Sequence, residues 1–338
     1  MKKSKDLLYL NILNIVACIA VVYLHCNGIV HKFTNTLAWK EALIIEVICY
    51  FAVPIFVMIT GATLLNYREK YGTKTFFKKR FLKVVIPYIA WSYIYYIIYR
   101  DTINPVGFIK ELMNGSIEPI FWFFPMIIFI YMTIPILSVL VKEKYEKEIF
   151  YIILCILLFQ SIISPMCNIL NIQYPVVFSY MNGGFGYIIF VFLGYLLAHK
   201  DFKKYSKIIY ILTILCWGIR YFYTCYYSIH ENFINKDLFN YLGIISVIPA
   251  IAVFMLVKNI KWDLIISFKI EKVIKFLSTC SFGVYLIHIV LKSKLTHMFH
   301  LDTYALSYRL IFPLLLYLLC IIIIFFIKKI PILKKIVP

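Results

Sequence analysis

Residues 7–28 read LLYLNILNIVACIAVVYLHCNG, twenty-two residues with no Asp, Glu, Lys or Arg among them. At 1.5 Å per residue such a run crosses the ~30 Å hydrocarbon core of a bilayer as a helix. Lys2, Lys3 and Lys5 precede it, and no small-residue cleavage site follows, so it is expected to remain as an uncleaved first span. Similar apolar runs recur near 42–65, 82–99, 120–141, 149–166, 183–199, 208–227, 240–257, 276–293 and 308–327. The expected architecture is all-α: a polytopic membrane protein of about ten transmembrane helices.

The composition agrees with that reading. Of the 338 residues 63% are apolar or aromatic and 15% charged, against roughly 45–50% and 25% in an average soluble domain. The formal net charge is +19. On a soluble chain this points to nucleic acid, but here the cations lie between the apolar runs, and no nucleic-acid partner is expected. Alternate segments carry very different Lys and Arg counts. The N-terminus, 66–80, 142–148, 199–207, 258–275 and the tail hold 25, whereas 29–41, 100–119, 167–182, 228–239 and 292–307 hold 7. By the positive-inside rule the first set, and with it both termini, is expected in the cytosol. No linker divides the chain and no loop is long enough for a second domain, so residues 1–338 read as one transmembrane domain. The nine cysteines lie mostly inside apolar runs, with no CxxC pair and no metal-ligand spacing, which suits small buried hydrophobes rather than a metal site.

Polar groups inside such runs are costly and are the first functional candidates. In the first run Asn11, Asn14, Cys18 and His25 form a stripe: eleven residues at 100° each return His25 to within ~20° of the Asn14 face. The stripe is expected to face other helices or a wet cavity, with His25 ~21 Å from Asn11 along the axis. Glu46, in the second run, shares the depth of His25. A carboxylate beside an imidazole orients the ring and raises its basicity, as a general base requires; a structural ion pair or a satisfied buried histidine fits the same pattern. His288, in SFGVYLIH, also falls in the outer half of its span. Glu118 precedes FWFF, which contains Trp122, at the outer start of the fourth. At the cytosolic entrance of the third span, KTFFKKRFLK gathers Lys79, Arg80 and Lys83 within a turn. Such a cluster holds phosphates, or else is ordinary positive-inside charge.

Six pieces then fall into a recognisable order: NILNIVACIAVVYLHCNG (11–28), YFAVPIFVMITGATLL (50–65), FFKKRFLKVVIPYIAWS (76–92), FWFFPMIIFIYMTIPILS (121–138), GGFGYIIFVFLGYLLAHK (183–200) and FLSTCSFGVYLIHIVL (276–291). Together they resemble the acyltransferase-3 family of integral membrane acyltransferases, and within it the bacterial branch that O-acetylates surface polysaccharides. The resemblance implies a ten-helix multi-pass protein of the bacterial cytoplasmic membrane. It implies an acyl-CoA, above all acetyl-CoA, bound from the cytosol as co-substrate, with no metal. The acceptor is then a hydroxyl of a glycan or lipid-linked saccharide at the outer face.

The family's catalytic histidine matches His25, and shared depth, apart from the resemblance, makes Glu46 its expected catalytic partner. Its basic motif entering the third span matches Arg80 and Lys83, with Lys79 beside them, and a lysine replaces the second arginine. Asn14 stands where many members carry an arginine, and Asn11 where an acid is common. Asn11, Asn14, Glu118, Trp122 and His288 are the expected substrate or channel residues. Two other readings stand beside this one: a flippase or exporter of lipid-linked oligosaccharide, and a non-catalytic membrane module that binds a small ligand.

Overall fold

A computed structural model describes residues 8–100, 102–141, 143–163, 166–167, 170 and 185–337. The basic start at Lys2, Lys3 and Lys5, Lys142, and nearly all of the expected outer segment 167–182 lie outside the described residues, as do Gly183 and Gly184 of the fifth quoted piece. The regular elements are helical throughout: α1 (Leu8–Cys26), α2 (Leu37–Cys49), α3 (Ala52–Leu64), α4 (Thr73–Arg80), α5 (Ile86–Tyr99), α6 (Pro105–Asn114), α7 (Phe123–Leu140), α8 (Glu146–Ile156), α9 (Ile188–His199), α10 (Ser206–Glu231), α11 (Ile244–Asn259), α12 (Trp262–Ile265), α13 (Phe268–Met298), α14 (Leu306–Leu310) and α15 (Phe312–Lys329). No strand occurs among the described residues. Among the described residues seven helical stretches are long and apolar enough to cross a membrane: Leu8–Cys26, Leu37–Glu69, Thr73–Tyr99, Pro119–Leu140, Lys203–Glu231, Phe268–Met298 and Phe312–Lys329. At the fifth, sixth and eighth expected spans stand shorter helices: α8, which runs on into a π-helical turn at Leu157–Ile163, then α9 and α11.

Two helix irregularities have causes in the sequence and both shape the interior. Within Leu37–Glu69 the helix breaks after Cys49, at Tyr50 and Phe51. Pro54 has no N–H to offer the carbonyl of Tyr50, so the ladder cannot run through. Likewise Pro87 cannot bond the carbonyl of Lys83, and Phe81–Val85 adopts a π-helical turn just before it.

α1 lies at the centre, against α13, α15, α3 and α11. The closest helix pair is α3 with α9. Gly61 of α3 lies against the Val191 carbonyl and Gly194 of α9 against that of Met58, so a Cβ on either would overlap backbone. Small residues let backbones approach in lipid, where packing rather than water exclusion holds helices together. Gly194→Ala is therefore expected to cost about 1–3 kcal/mol, read as a lower Tm of the purified protein in detergent. An unchanged Tm would show that the crossing relaxes freely.

Beyond α1, Asn27 donates to the carbonyl of Ala42 at 2.8 Å and to Glu46 Oε2 at 3.2 Å. Fully buried Trp39 donates to the Val30 carbonyl at 3.0 Å. These bonds pin the start of α2 over the end of α1. Arg309 of α14 adds a clamp from the other side, reaching the Ala38 carbonyl at 2.8 Å and Glu41 Oε2 at 2.7 Å.

Candidate active site

Among the described residues the helices line a large, partly open cavity of about 720 Å³. Its wall is built from α1, the broken helix α2–α3, the start of the third span, Pro119–Trp122 with α7, α13, and the segment 234–241. One end is polar and basic: Asn14, Arg80, Lys83, Ser278 and Thr279 line it. The middle is apolar, with Val21, Val53, Phe56, Ile59, Ile127 and Phe282. The far end carries His25, His31, Glu46, Tyr50, Trp122, Lys236 and Tyr241.

At the basic end, Asn14 donates to the Ser278 carbonyl and hydroxyl at 2.8 and 2.9 Å, tying α1 to α13 with a neutral amide. The Arg80 guanidinium lies 5.5 Å from the Tyr131 ring centroid and 6.0 Å from that of Phe76. Its Nε is buried without a hydrogen-bond partner, a donor awaiting an acceptor. Lys83 is exposed to the cavity. Lys79 is not brought with them: its ammonium is seated over the Tyr71 ring, 3.9 Å from the centroid, and it does not line the cavity. Asn11 also lies off the cavity wall. Cys18 is buried, with its thiol directed at the Ser281 carbonyl at 3.6 Å, so the expected stripe divides between cavity and helix contact.

At the far end His25 is half-buried. The partner expected for it was Glu46, yet no hydrogen bond joins the two among the described residues; Glu46 accepts from Asn27 instead. The ring beside His25 is His288, with centroids 5.1 Å apart. Its Nδ1–H donates to the carbonyls of Val284 and Tyr285 at 3.0 and 2.8 Å. Carbonyls only accept, so Nδ1 carries a proton, and in the neutral ring Nε2 then keeps a bare lone pair. That Nε2 is buried with no partner. His288 is fully buried and stands behind His25, off the cavity wall, rather than lining a channel.

Glu118 is likewise off this cavity. It caps the short helix at Ile120 N (3.4 Å) and accepts from the Tyr99 hydroxyl at 2.8 Å, and it borders a separate small recess. Outside the spans, burial and then Lys236 hold the His31 imidazole below its usual range, so at pH 7 it is neutral.

The sequence reading marked Trp122, which lines this end, but passed over its neighbours. Trp122, Tyr241 and Tyr50 form an aromatic wall, Tyr241 stacking on Tyr50 at 4.3 Å and 11° and facing Trp122 at 5.9 Å and 20°. Behind it lies Arg220 of α10, 1% exposed, its guanidinium 4.8 Å from the Tyr50 ring and 5.2 Å from that of Phe239. An arginine inside an apolar run was the available signal.

Fold and site together define a helical membrane protein with an internal cavity that joins a cationic end to a histidine. The family model for an acyltransferase domain matches residues 7–329. The chain belongs to the acyltransferase-3 family, whose members transfer acyl groups. No curated protein and no solved structure matches it.

Proposed function

We propose that the protein transfers an acetyl group from acetyl-CoA to a hydroxyl of a surface or lipid-linked saccharide in the cytoplasmic membrane of a bacterium. The observation that carries this reading is the cavity itself, which runs from Arg80 and Lys83 to His25. In this reading the cationic end faces the cytosol, as the Lys and Arg asymmetry supports, together with both termini of a ten-span chain. Arg80 and Lys83 take the CoA phosphates. Asn14 and His25 are eleven residues apart, about 16 Å along α1, and the donor's thin arm extends that way past Val21, Val53 and Ile127.

At His25 the acceptor hydroxyl attacks the thioester carbonyl as the imidazole takes its proton. The C–S bond of the tetrahedral intermediate then breaks, the imidazolium returns the proton to sulfur, and an acetate ester and free CoA leave. Buried His288 packs against the His25 ring from behind and limits its movement; Glu46, bonded to Asn27, shapes the same end. The apolar middle favours this scheme over an exporter, because a hydroxyl-rich oligosaccharide crossing Val21 and Ile127 would lose its hydrogen bonds to water.

Mass spectrometry of surface polysaccharide from cells with and without the gene tests the proposal. The expected result is loss of an acetyl mass from a defined sugar, restored by the wild-type gene. Identical spectra, with acetyl-CoA neither bound nor hydrolysed by the purified protein, would end it.

A further inference from the structure

The His25 end of the cavity holds more positive than negative charge. Among the described residues Glu46 is the one carboxylate on its wall. Around it stand Lys236, on the wall, Arg220, behind Tyr50 and Phe239, and Lys292, whose ammonium donates to the His25 carbonyl at 3.0 Å. Nearby acids are engaged elsewhere: Glu41 with Arg309 at 2.7 Å, and Asp237 with Asn235 and Tyr223 at 2.9 and 3.3 Å. Arg220 donates only to neutral oxygens, the Leu238 carbonyl at 3.1 Å and the Ser246 hydroxyl at 2.5 Å. Among the described residues neither Arg220, Lys236 nor Lys292 forms an ion pair. His31, neutral for the reasons given above, adds no charge.

Cations in excess of carboxylates around a cavity with apolar walls focus a field that attracts an anion. Beside Lys236 the Tyr50–Tyr241–Trp122 wall presents ring faces on which the C–H side of a sugar packs. We infer that the acceptor is an acidic saccharide, its ring against this aromatic wall and a carboxylate or phosphate oxyanion held by Lys236. The inference rests on the acetyl-transfer reading of the same site and narrows its substrate class. Lys236 is the contacting cation because it is exposed on the wall. Arg220 acts through the rings in front of it, and Lys292 is already bound to a backbone oxygen.

The test uses the full-length protein in lipid nanodiscs and equilibrium dialysis of three fluorescently end-labelled trisaccharides: one of neutral hexoses, one bearing a hexuronic acid, one bearing a sugar phosphate. At least one acidic probe is expected to bind about tenfold or more tighter than the neutral one, since a charge-assisted hydrogen bond distinguishes them. The carboxylate and phosphate arms separate the two sources of the oxyanion. Lys236→Glu is expected to abolish the preference and Lys236→Arg to keep it, and added salt should weaken only the acidic probes. Equal binding of all three probes would overturn the inference, as would an undiminished preference in Lys236→Glu. A neutral probe that alone becomes acetylated would do the same while leaving acetyl transfer standing. Lys236-dependent binding of an acidic probe without any acetyl transfer would sustain the site and overturn the proposed reaction instead.

Discussion

Replacing His25 with Ala is expected to lower kcat for acetyl transfer by about 10²–10⁴-fold, the range over which a positioned general base acts. The imidazole is half-buried on the cavity wall and makes no side-chain hydrogen bond among the described residues, so its nitrogens remain available to a reacting hydroxyl. Behind it His288 is tied through Nδ1 to two carbonyls and gives a fixed surface for the ring to rest on. The proposed donor contacts, Arg80 and Lys83, are at the other end of the cavity. kcat and kcat/KM for acetyl-CoA should therefore fall together while KM stays within about threefold, the signature of an interaction made in the transition state alone. Stopped-flow release of CoA separates two roles: a base gives no burst, whereas an imidazole that carries the acetyl group gives a burst of CoA and a labelled protein. Transfer at the wild-type rate by a normally inserted His25→Ala protein would remove the residue from the mechanism.

The spans were legible because lipid imposes one demand, that backbone groups bond within the segment, and helices of apolar residues are the answer a sequence can display. The family's matching pieces marked His25, Arg80 and Lys83, and all three line one cavity. Which neighbour each side chain meets was not legible. Shared depth made Glu46 a plausible partner of His25, yet depth says nothing about rotation around the helix axis. Asn27, between the two in sequence, captured the carboxylate. Likewise Lys79 lies beside Arg80 in sequence, but a helix turns ~100° per residue, and the lysine ends over Tyr71. Of the aromatic wall Trp122 was marked, but Tyr50 and Tyr241 escaped because composition does not distinguish a tyrosine facing a cavity from one facing lipid. Arg220 left a trace: it falls inside the run 208–227, where a charge is costly, and it proves 1% exposed.

Arg80→Ala is expected to raise KM for acetyl-CoA by about 10- to 100-fold, as loss of one charge-assisted phosphate contact of ~1.5–3 kcal/mol predicts. Its guanidinium is held among the Phe76 and Tyr131 rings with Nε unsatisfied, so the fork is oriented before any ligand arrives. A fixed fork gives up little freedom on meeting a phosphate, in contrast to a lysine on a flexible stem. Because Arg80 and His25 line opposite ends of the cavity, kcat at saturating donor should change little under the proposed mechanism. Lys83→Arg restores the fork at the second position and is expected to lower KM by a few-fold, since charge is constant and only bidentate geometry is gained. Lys79→Ala serves as the contrast, because that ammonium faces Tyr71 rather than the cavity. The readout is steady-state KM for acetyl-CoA beside that for a donor lacking the CoA 3′-phosphate. If Arg80 grips that phosphate, the truncated donor already shows the raised KM and the substitution adds nothing further to it. Equal KM values for Arg80→Ala and the wild type on both donors would mean that the cationic end serves only to orient the chain in the membrane.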